Sequence, residues 1–310
     1  MAQSVDSEYS KTASFLEQGG GMPMSTSTDE LAPDLLERVL SRLGLSATPS
    51  PDLPGLKTVY AAWCRQVPFD NIRKLIHVQT QNQGVLPGDS AQDFFEAWLK
   101  YKTGGTCWAG NGALHRLLVT LGFAAQRGVA TMLVAPSVPP NHGTVSVQLH
   151  GVRYLVDASI LHSEPLRLEE GKDATIAHPV WGVRCVQQHN NWHITFRPMH
   201  VPTGLECRLE QFSTTREDFH KRHEQTRPWS PFNYALHARL IQGDSIIGVA
   251  FGQRVKYEST GAVSQSRLVG DERQRVLIDE LGINEEIVQM LPPDTPTPPP
   301  PWSRTARASS

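Results

Sequence analysis

Between Thr144 and Val156 the chain alternates strictly. Val145, Val147 and Leu149 are spaced by Thr144, Ser146 and Gln148, and His150-Gly151 separates them from Val152 to Val156. Period-two alternation on both sides of a two-residue turn signal specifies a β-hairpin. With His150-Gly151 as the turn, Leu149 faces Val152. Counting outward sets Thr144 opposite Asp157, with His142 two positions further along the same face. One face then carries Val145, Val147, Leu149, Val152, Tyr154 and Val156, and the other carries His142, Thr144 and Asp157. Diagonal neighbours on one face lie roughly 7 to 8 Å apart at the backbone, a gap that a His and an Asp side chain can close into a hydrogen bond. Taken singly, His142 also reads as a satisfied strand histidine and Asp157 as a strand-end turn residue; their joint placement favours chemistry.

The residue that could use such a pair is Cys107. It follows Gly104-Gly105 and stands at the start of a helix whose Leu114, Leu117, Leu118 and Leu121 fall at i, i+3, i+4 and i+7, with Gly122 placed to end it. Unpaired N–H groups and the positive end of the helix dipole favour a thiolate there, below the free thiol value of about 8.5, and the same N–H groups suit a tetrahedral oxyanion. On its own, Cys107 reads more readily as a small apolar residue at a helix start. Joined to a His–Asp pair on an adjacent sheet, it becomes an arrangement for thiolate generation and acyl transfer.

The rest of the chain frames these two segments. Helices are expected at 35–43, started by Pro33 and stopped by Gly44, at 56–66 and at 91–101, with a loop over 79–88. Strands are expected at 181–186, 192–196, 234–241, 246–251 and 254–259, and a closing helix opens at Asp271 with Gln274 in capping-box spacing. Helices come first, then strands, then strands plus helix; there is no internal repeat, and this segregated order indicates an α+β fold. Residues 1–30, with a glycine run, and the proline-rich 292–310 are expected to be disordered tails.

Composition removes several function classes. Lys plus Arg (29) and Asp plus Glu (31) nearly cancel and no stretch concentrates positive charge, which disfavours a nucleic-acid or membrane-surface partner. The N-terminus lacks a signal-peptide pattern and no apolar run is long enough to span a bilayer, so a cytoplasmic location is expected. The four cysteines, Cys64, Cys107, Cys185 and Cys207, have no CxxC spacing, which argues against a metal site and against a disulfide framework. Cys64, Cys185 and Cys207 are expected to be structural, and His115 to be a surface or capping residue.

At these residues the chain resembles the arylamine N-acetyltransferases. Gln66 to Asn71 (QVPFDN) is similar to the family's PFEN segment, Gly104 to Gly112 (GGTCWAGNG) to its nucleophile segment, and Asn141 to Ala158 to its histidine-to-aspartate hairpin. The likeness runs in order from about Leu35 to Leu291, with Arg227 to Leu240 and Asp279 to Ile283 similar to the family's C-terminal part. It implies a three-part fold: a helical bundle carrying Cys107 (31–125), a β-barrel-like part carrying His142 and Asp157 (126–212), and an α/β lid (213–291). It also implies a ping-pong cycle in which acetyl passes from acetyl-CoA to Cys107 and on to an arylamine, hydrazine or hydroxylamine. Cys107 would be the nucleophile, His142 the general base and acid, and Asp157 the orienting group. Phe69 and Trp108 match positions flanking the cleft and are candidates for acceptor contact or for core packing.

The sequence departs from the family around the triad. Thr103 stands where Arg is usual, Ala109 where Glu is usual, and Ala158 to Leu161 where a glycine-containing stretch is usual. These changes bear on the acyl donor more than on the reaction class. A thiol hydrolase, a transglutaminase-like enzyme or an amide synthase would use the same Cys-His-Asp set, and an impaired enzyme kept for binding is a further reading.

Overall fold

A computed structural model describes residues 30–134 and 138–299. The expected disorder at 1–29 and 300–310 lies outside the described residues. Residues 292–299 carry neither helix nor strand, but Asp294 accepts a hydrogen bond from the Leu236 N–H (3.0 Å), so ordered chain continues past Leu291.

Five helices open the fold: α1 (Pro33–Leu43), α2 (Leu53–Gln66), α3 (Ile72–Gln79), α4 (Ala91–Tyr101) and α5 (Cys107–Thr120). Their ends follow local chemistry. Gly44 takes φ 78° to close α1, Asp52 caps α2 through the Gly55 N–H (2.8 Å), and Ser90 caps α4 through the Asp93 N–H (3.1 Å). Leu114, Leu117 and Leu118 of α5 are fully buried, and such burial stabilises by roughly 1.5–3 kcal/mol per side chain. His115 is buried as well, contrary to the surface position expected of it.

Between α2 and α3 lies a two-residue strand, β1 (Phe69–Asp70). Eight strands follow: β2 (Ala124–Met132), β3 (His142–Leu149), β4 (Val152–Val156), β5 (Leu166–Leu168), β6 (Ala174–Ile176), β7 (Val183–Gln188), β8 (Asn191–Phe196) and β9 (Leu205–Gln211). They form one antiparallel sheet in the order β5-β4-β3-β2-β9-β8-β7-β6, and its two edges come close enough to make it a nearly closed barrel. The hairpin has the expected register. Leu149 pairs with Val152 and Val145 with Val156, around His150 (φ 48°) and Gly151 (φ 78°), the conformation of a type I′ turn.

Val145, Val147, Leu149, Tyr154 and Val156 pack with the helices. The opposite face is buried too: Thr144 and Ser146 are covered, and Leu155 joins Cys185, Ile194, Cys207 and Leu209 inside the barrel. A sheet that curls onto itself leaves neither face of its central strands to water.

Helix α6 (Arg216–Glu224) leads to a second antiparallel sheet made of β1, β10 (His237–Gln242), β11 (Ser245–Ala250), β12 (Gln253–Tyr257) and β13 (Val263–Arg267). The expected strand at 234–241 therefore starts later, because Pro231–Asn233 form a 3₁₀ turn. The closing segment begins as α7 (Glu272–Arg275), widens into a π-turn over Val276–Glu280, and is followed by α8 (Glu285–Val288). Asp271 makes no capping bond; Glu272 instead accepts from the Val269 N–H (2.9 Å), so the capping box read at Asp271 and Gln274 does not form. The second sheet is not built from the last third alone, since Phe69 pairs with Arg239 and Asp70 with Ala238.

Candidate active site

Cys107 is the first residue of α5, and its sulfur lies 4.0 Å from the Asn141 carbonyl, one residue before His142. The loop ahead of it is fixed from below. Asp70 accepts hydrogen bonds from the Gly104 N–H (2.5 Å) and the Ile72 N–H (3.0 Å), and a Cβ at Gly104 would sit 1.8 Å from the Pro68 carbonyl oxygen. Only glycine permits so close an approach. Burial lifts the Asp70 carboxyl to about 6 against the pull of those two N–H groups.

His142 is 2 % exposed and Asp157 is fully buried; Nε2 of the imidazole and Oδ2 of the carboxylate are 2.8 Å apart. Nδ1 faces away from Asp157, and the nearby Cys107 adds to the field at the ring. Burial alone would pull the imidazole down, but the charges of Asp157 and Cys107 and their hydrogen bonds outweigh it and raise His142 to about 10. Asp157 is held below the ordinary carboxylate range, because the His142 charge and several N–H donors overcome its desolvation. Its Oδ1 accepts from the Ser159 N–H (2.8 Å), the Ser159 hydroxyl (2.8 Å) and the Ile160 N–H (2.9 Å).

Two residues that sequence reasoning left out position this pair. Asn111, one turn along α5, donates to the Gly143 carbonyl (2.6 Å) and to Asp157 Oδ1 (3.4 Å) and accepts from the Ala158 N–H (2.9 Å). Its place in the nucleophile segment was the available signal. Tyr60, on α2, donates its hydroxyl proton to the Asp157 carbonyl (2.9 Å) and accepts from the Asp157 N–H (3.1 Å) and the His162 N–H (3.3 Å). Nothing in the local sequence marks Tyr60, which lies 97 residues from its partner.

Cys107, Trp108, His142 and Phe69 line one cavity of about 140 Å³. Phe69 meets Phe232 and His237 edge-on, with ring centroids 5.5 and 5.3 Å apart. Trp108 packs edge-on against Phe219 at 4.9 Å, and its indole N–H has no partner. Of the departures from the family pattern, Thr103 is buried with an unpartnered hydroxyl, and Ala109 is packed so that a Cβ at Gly88 or Gly105 would lie within 2.8 Å of its own. Position 109 is therefore held small. Cys64 and Cys185 are pushed up to about 12 by burial, and burial also raises Cys207 well above the ordinary thiol. Among the described residues no group of His, Cys, Asp or Glu could hold a metal, and no helix is long and apolar enough to cross a membrane.

Comparison with known proteins places the chain in a family. A family model described as N-acetyltransferase matches residues 52–288. The chain is 33 % identical over 142 residues to an arylamine N-acetyltransferase of Mycolicibacterium smegmatis, covering 43 % of this chain and 50 % of that protein. It is 27 % identical over 168 residues to arylamine N-acetyltransferase 2 of Mus musculus, covering 51 % and 55 %. The matched stretches thus span about half the length of these curated relatives. Among solved structures, a variant N-arylamine acetyltransferase of Mycobacterium smegmatis superposes with a TM-score of 0.70 at 21 % identity, covering 83 % of this chain and 97 % of that one. The arylamine N-acetyltransferase of Mycobacterium marinum in complex with CoA gives a TM-score of 0.70 at 20 % identity, covering 82 % and 94 %. The likeness to these structures is one of fold, and together with the matched family model it establishes that the chain belongs to the arylamine N-acetyltransferase family.

Proposed function

We propose that the protein transfers an acetyl group from acetyl-CoA, through a thioester on Cys107, to an arylamine, hydrazine or hydroxylamine. The observation that carries this reading is the meeting in one cleft of a cysteine at a helix start with a buried His142–Asp157 pair. In the first half-reaction the proton of Cys107 is held on His142, and the thiolate attacks the thioester carbonyl. The new S–C bond forms as the bond to CoA breaks, and His142 returns its proton to the leaving thiolate. In the second, the amine attacks, His142 takes its proton, and the Cys107 thiolate is released. Asp157 keeps the imidazole oriented throughout, and the free N–H groups of the first turn of α5 face the developing oxyanion.

In this reading residues 31–125 supply the nucleophile, 126–212 the His–Asp pair and 213–291 a lid whose β10 completes the cleft, with Phe69 and Trp108 contacting the acceptor. No metal takes part, and neither nucleic acid nor a membrane is a partner. The four free thiols are in keeping with a reducing, cytoplasmic location. Intact-protein mass spectrometry after mixing with acetyl-CoA should show one acetyl group on Cys107, discharged by an aromatic amine or hydrazine much faster than by water. Acylation that only water discharges, across a panel of amines, would instead make the protein a hydrolase.

A further inference from the structure

His142 is raised to about 10 and Asp157 is held below the ordinary carboxylate range, so both keep their charges from about pH 5 to about pH 8. A buried carboxyl just outside the triad does not. Asp70 is 1 % exposed, and burial lifts it to about 6. It grips the diglycine ahead of Cys107 at both ends: the carboxylate accepts from the Gly104 N–H (2.5 Å), and the Asp70 N–H donates to the Gly105 carbonyl (3.3 Å). Thr106, between that diglycine and Cys107, gives α5 no side-chain cap, so the side-chain anchor ahead of the nucleophile is Asp70. Among the charged groups around it, the Arg73 guanidinium on α3 is the one that acts on Asp70, and it is paired with Asp93 (2.7 Å). Lys74 of the same helix donates to the Thr226 hydroxyl, Arg239 of β10 donates to the Ile160 carbonyl, His237 of β10 packs on Phe69, and Lys102 ahead of the loop is exposed.

The two groups that the Asp70 oxygens face, the N–H of Gly104 and the N–H of Ile72, are both donors. Protonation removes the charge from this grip and turns one oxygen from an acceptor into a donor. Resting on the acyl-transfer reading, we propose that Asp70 is a positioning residue for that reaction: its ionised carboxylate holds the Gly104-Gly105 loop, and through it the Cys107 sulfur and the first turn of α5, and its protonation loosens that hold and slows acylation on the acid side. The sign differs from that of a group serving stability alone. Because the folded value lies above the ordinary 3.8, the fold binds this proton more tightly than the unfolded chain does. Ionisation of Asp70 as pH rises through about 6 therefore costs stability while it restores activity.

The full chain provides the test. Single-turnover acylation of Cys107 at saturating acetyl-CoA should rise about tenfold between about pH 5 and about pH 7, the scale of one charge-assisted hydrogen bond, with its midpoint at about 6. Asp70→Asn keeps one acceptor and sets a donor against the other N–H, so it should be slow and flat over that range. Asp70→Glu should bring back most of the rate and the pH dependence. In urea unfolding, the stability of the unmodified protein relative to Asp70→Asn should fall as pH rises through the same window. A second measurement stands even where Asp70→Asn does not fold. Labelling the unmodified protein with 15N-glycine and carbonyl-13C-threonine selects its three Thr-Gly amides, those of Gly104, Gly204 and Gly261. Gly204 and Gly261 donate to backbone carbonyls, so the Gly104 amide alone should shift with the midpoint of the acylation rate. A flat acylation profile in the unmodified protein, an acid limb that persists in Asp70→Asn, or a Gly104 amide that does not follow the rate overturns the proposal and leaves acyl transfer intact. Cys107 that takes no acyl group at any pH removes the acyl-transfer reading and this proposal together.

Discussion

Replacing Tyr60 by Phe removes one oxygen atom and tests how the Asp157 turn is held. The hydroxyl has one proton and two acceptor sites, and all are used: it donates to the Asp157 carbonyl and accepts from the N–H groups of Asp157 and His162. After the substitution the Asp157 carbonyl keeps the Leu161 N–H as a donor (3.1 Å), so two buried N–H groups are orphaned and not three polar groups. At about 1–3 kcal/mol for each orphan, with some relaxation of the turn, the expected loss is about 2–4 kcal/mol. The ring itself remains packed against His162 (centroids 5.0 Å apart), which keeps lost apolar burial out of the difference. Urea unfolding of the two proteins should show the midpoint falling with an unchanged slope. Because the same hydroxyl fixes the backbone of Asp157, acylation of Cys107 should slow as well. A loss below about 0.5 kcal/mol, the range of an ordinary surface change, would show that Tyr60 does not anchor this turn.

Two further outcomes follow from the electrostatics of the buried groups. Iodoacetamide at neutral pH should label Cys107 ahead of Cys64, Cys185 and Cys207, whose thiols burial holds protonated, and peptide mapping that finds one of those three first would contradict the assigned nucleophile. His142 is raised from 6.5 to about 10, so its contribution to stability is complete below about pH 6.5 and is lost as pH climbs through about 10. The stability difference between the unmodified protein and His142→Gln should therefore shrink across that window, and a difference that stays constant refutes the ion pair.

The hairpin was legible because two constraints agreed on it: alternation set the faces and His150-Gly151 set the register, and this brought His142 to Asp157 without any knowledge of the rest of the fold. Elements lacking a clean period were not legible. Helix α6 buries only Phe219 and His223, too few to mark a stripe. Helix α3 is eight residues long and contains Ile72, Ile76 and Val78, whose branched side chains signal strand as readily as helix. Strand β2 holds only Val129 and Met132 as sizeable apolar side chains, among alanines, a glycine and the polar Gln126, Arg127 and Thr131, so no alternation appears. Lys74 and Arg239, buried in the wall of the cleft, escaped notice for another reason. A lysine beside Arg73 and an arginine in a strand read as solvated until distant chain covers them, and burial of that kind is a property of the assembled cleft.

Strand β1 has a consequence for the order in which this protein comes into being. Asn71 donates to the carbonyls of Phe232 and Ala235 and accepts from the His237 N–H, bonds that join residues 161 to 166 positions apart. A growing chain that has emerged only as far as about residue 225 already holds Cys107, His142 and Asp157, but the wall that gives the cleft its shape has yet to be made. Closing so long a loop is entropically slow compared with forming the hairpin. During synthesis Cys107 therefore has an interval in which the wall of its cleft is not yet in place. Selectivity arrives only when the last strands dock against Phe69 and Asp70.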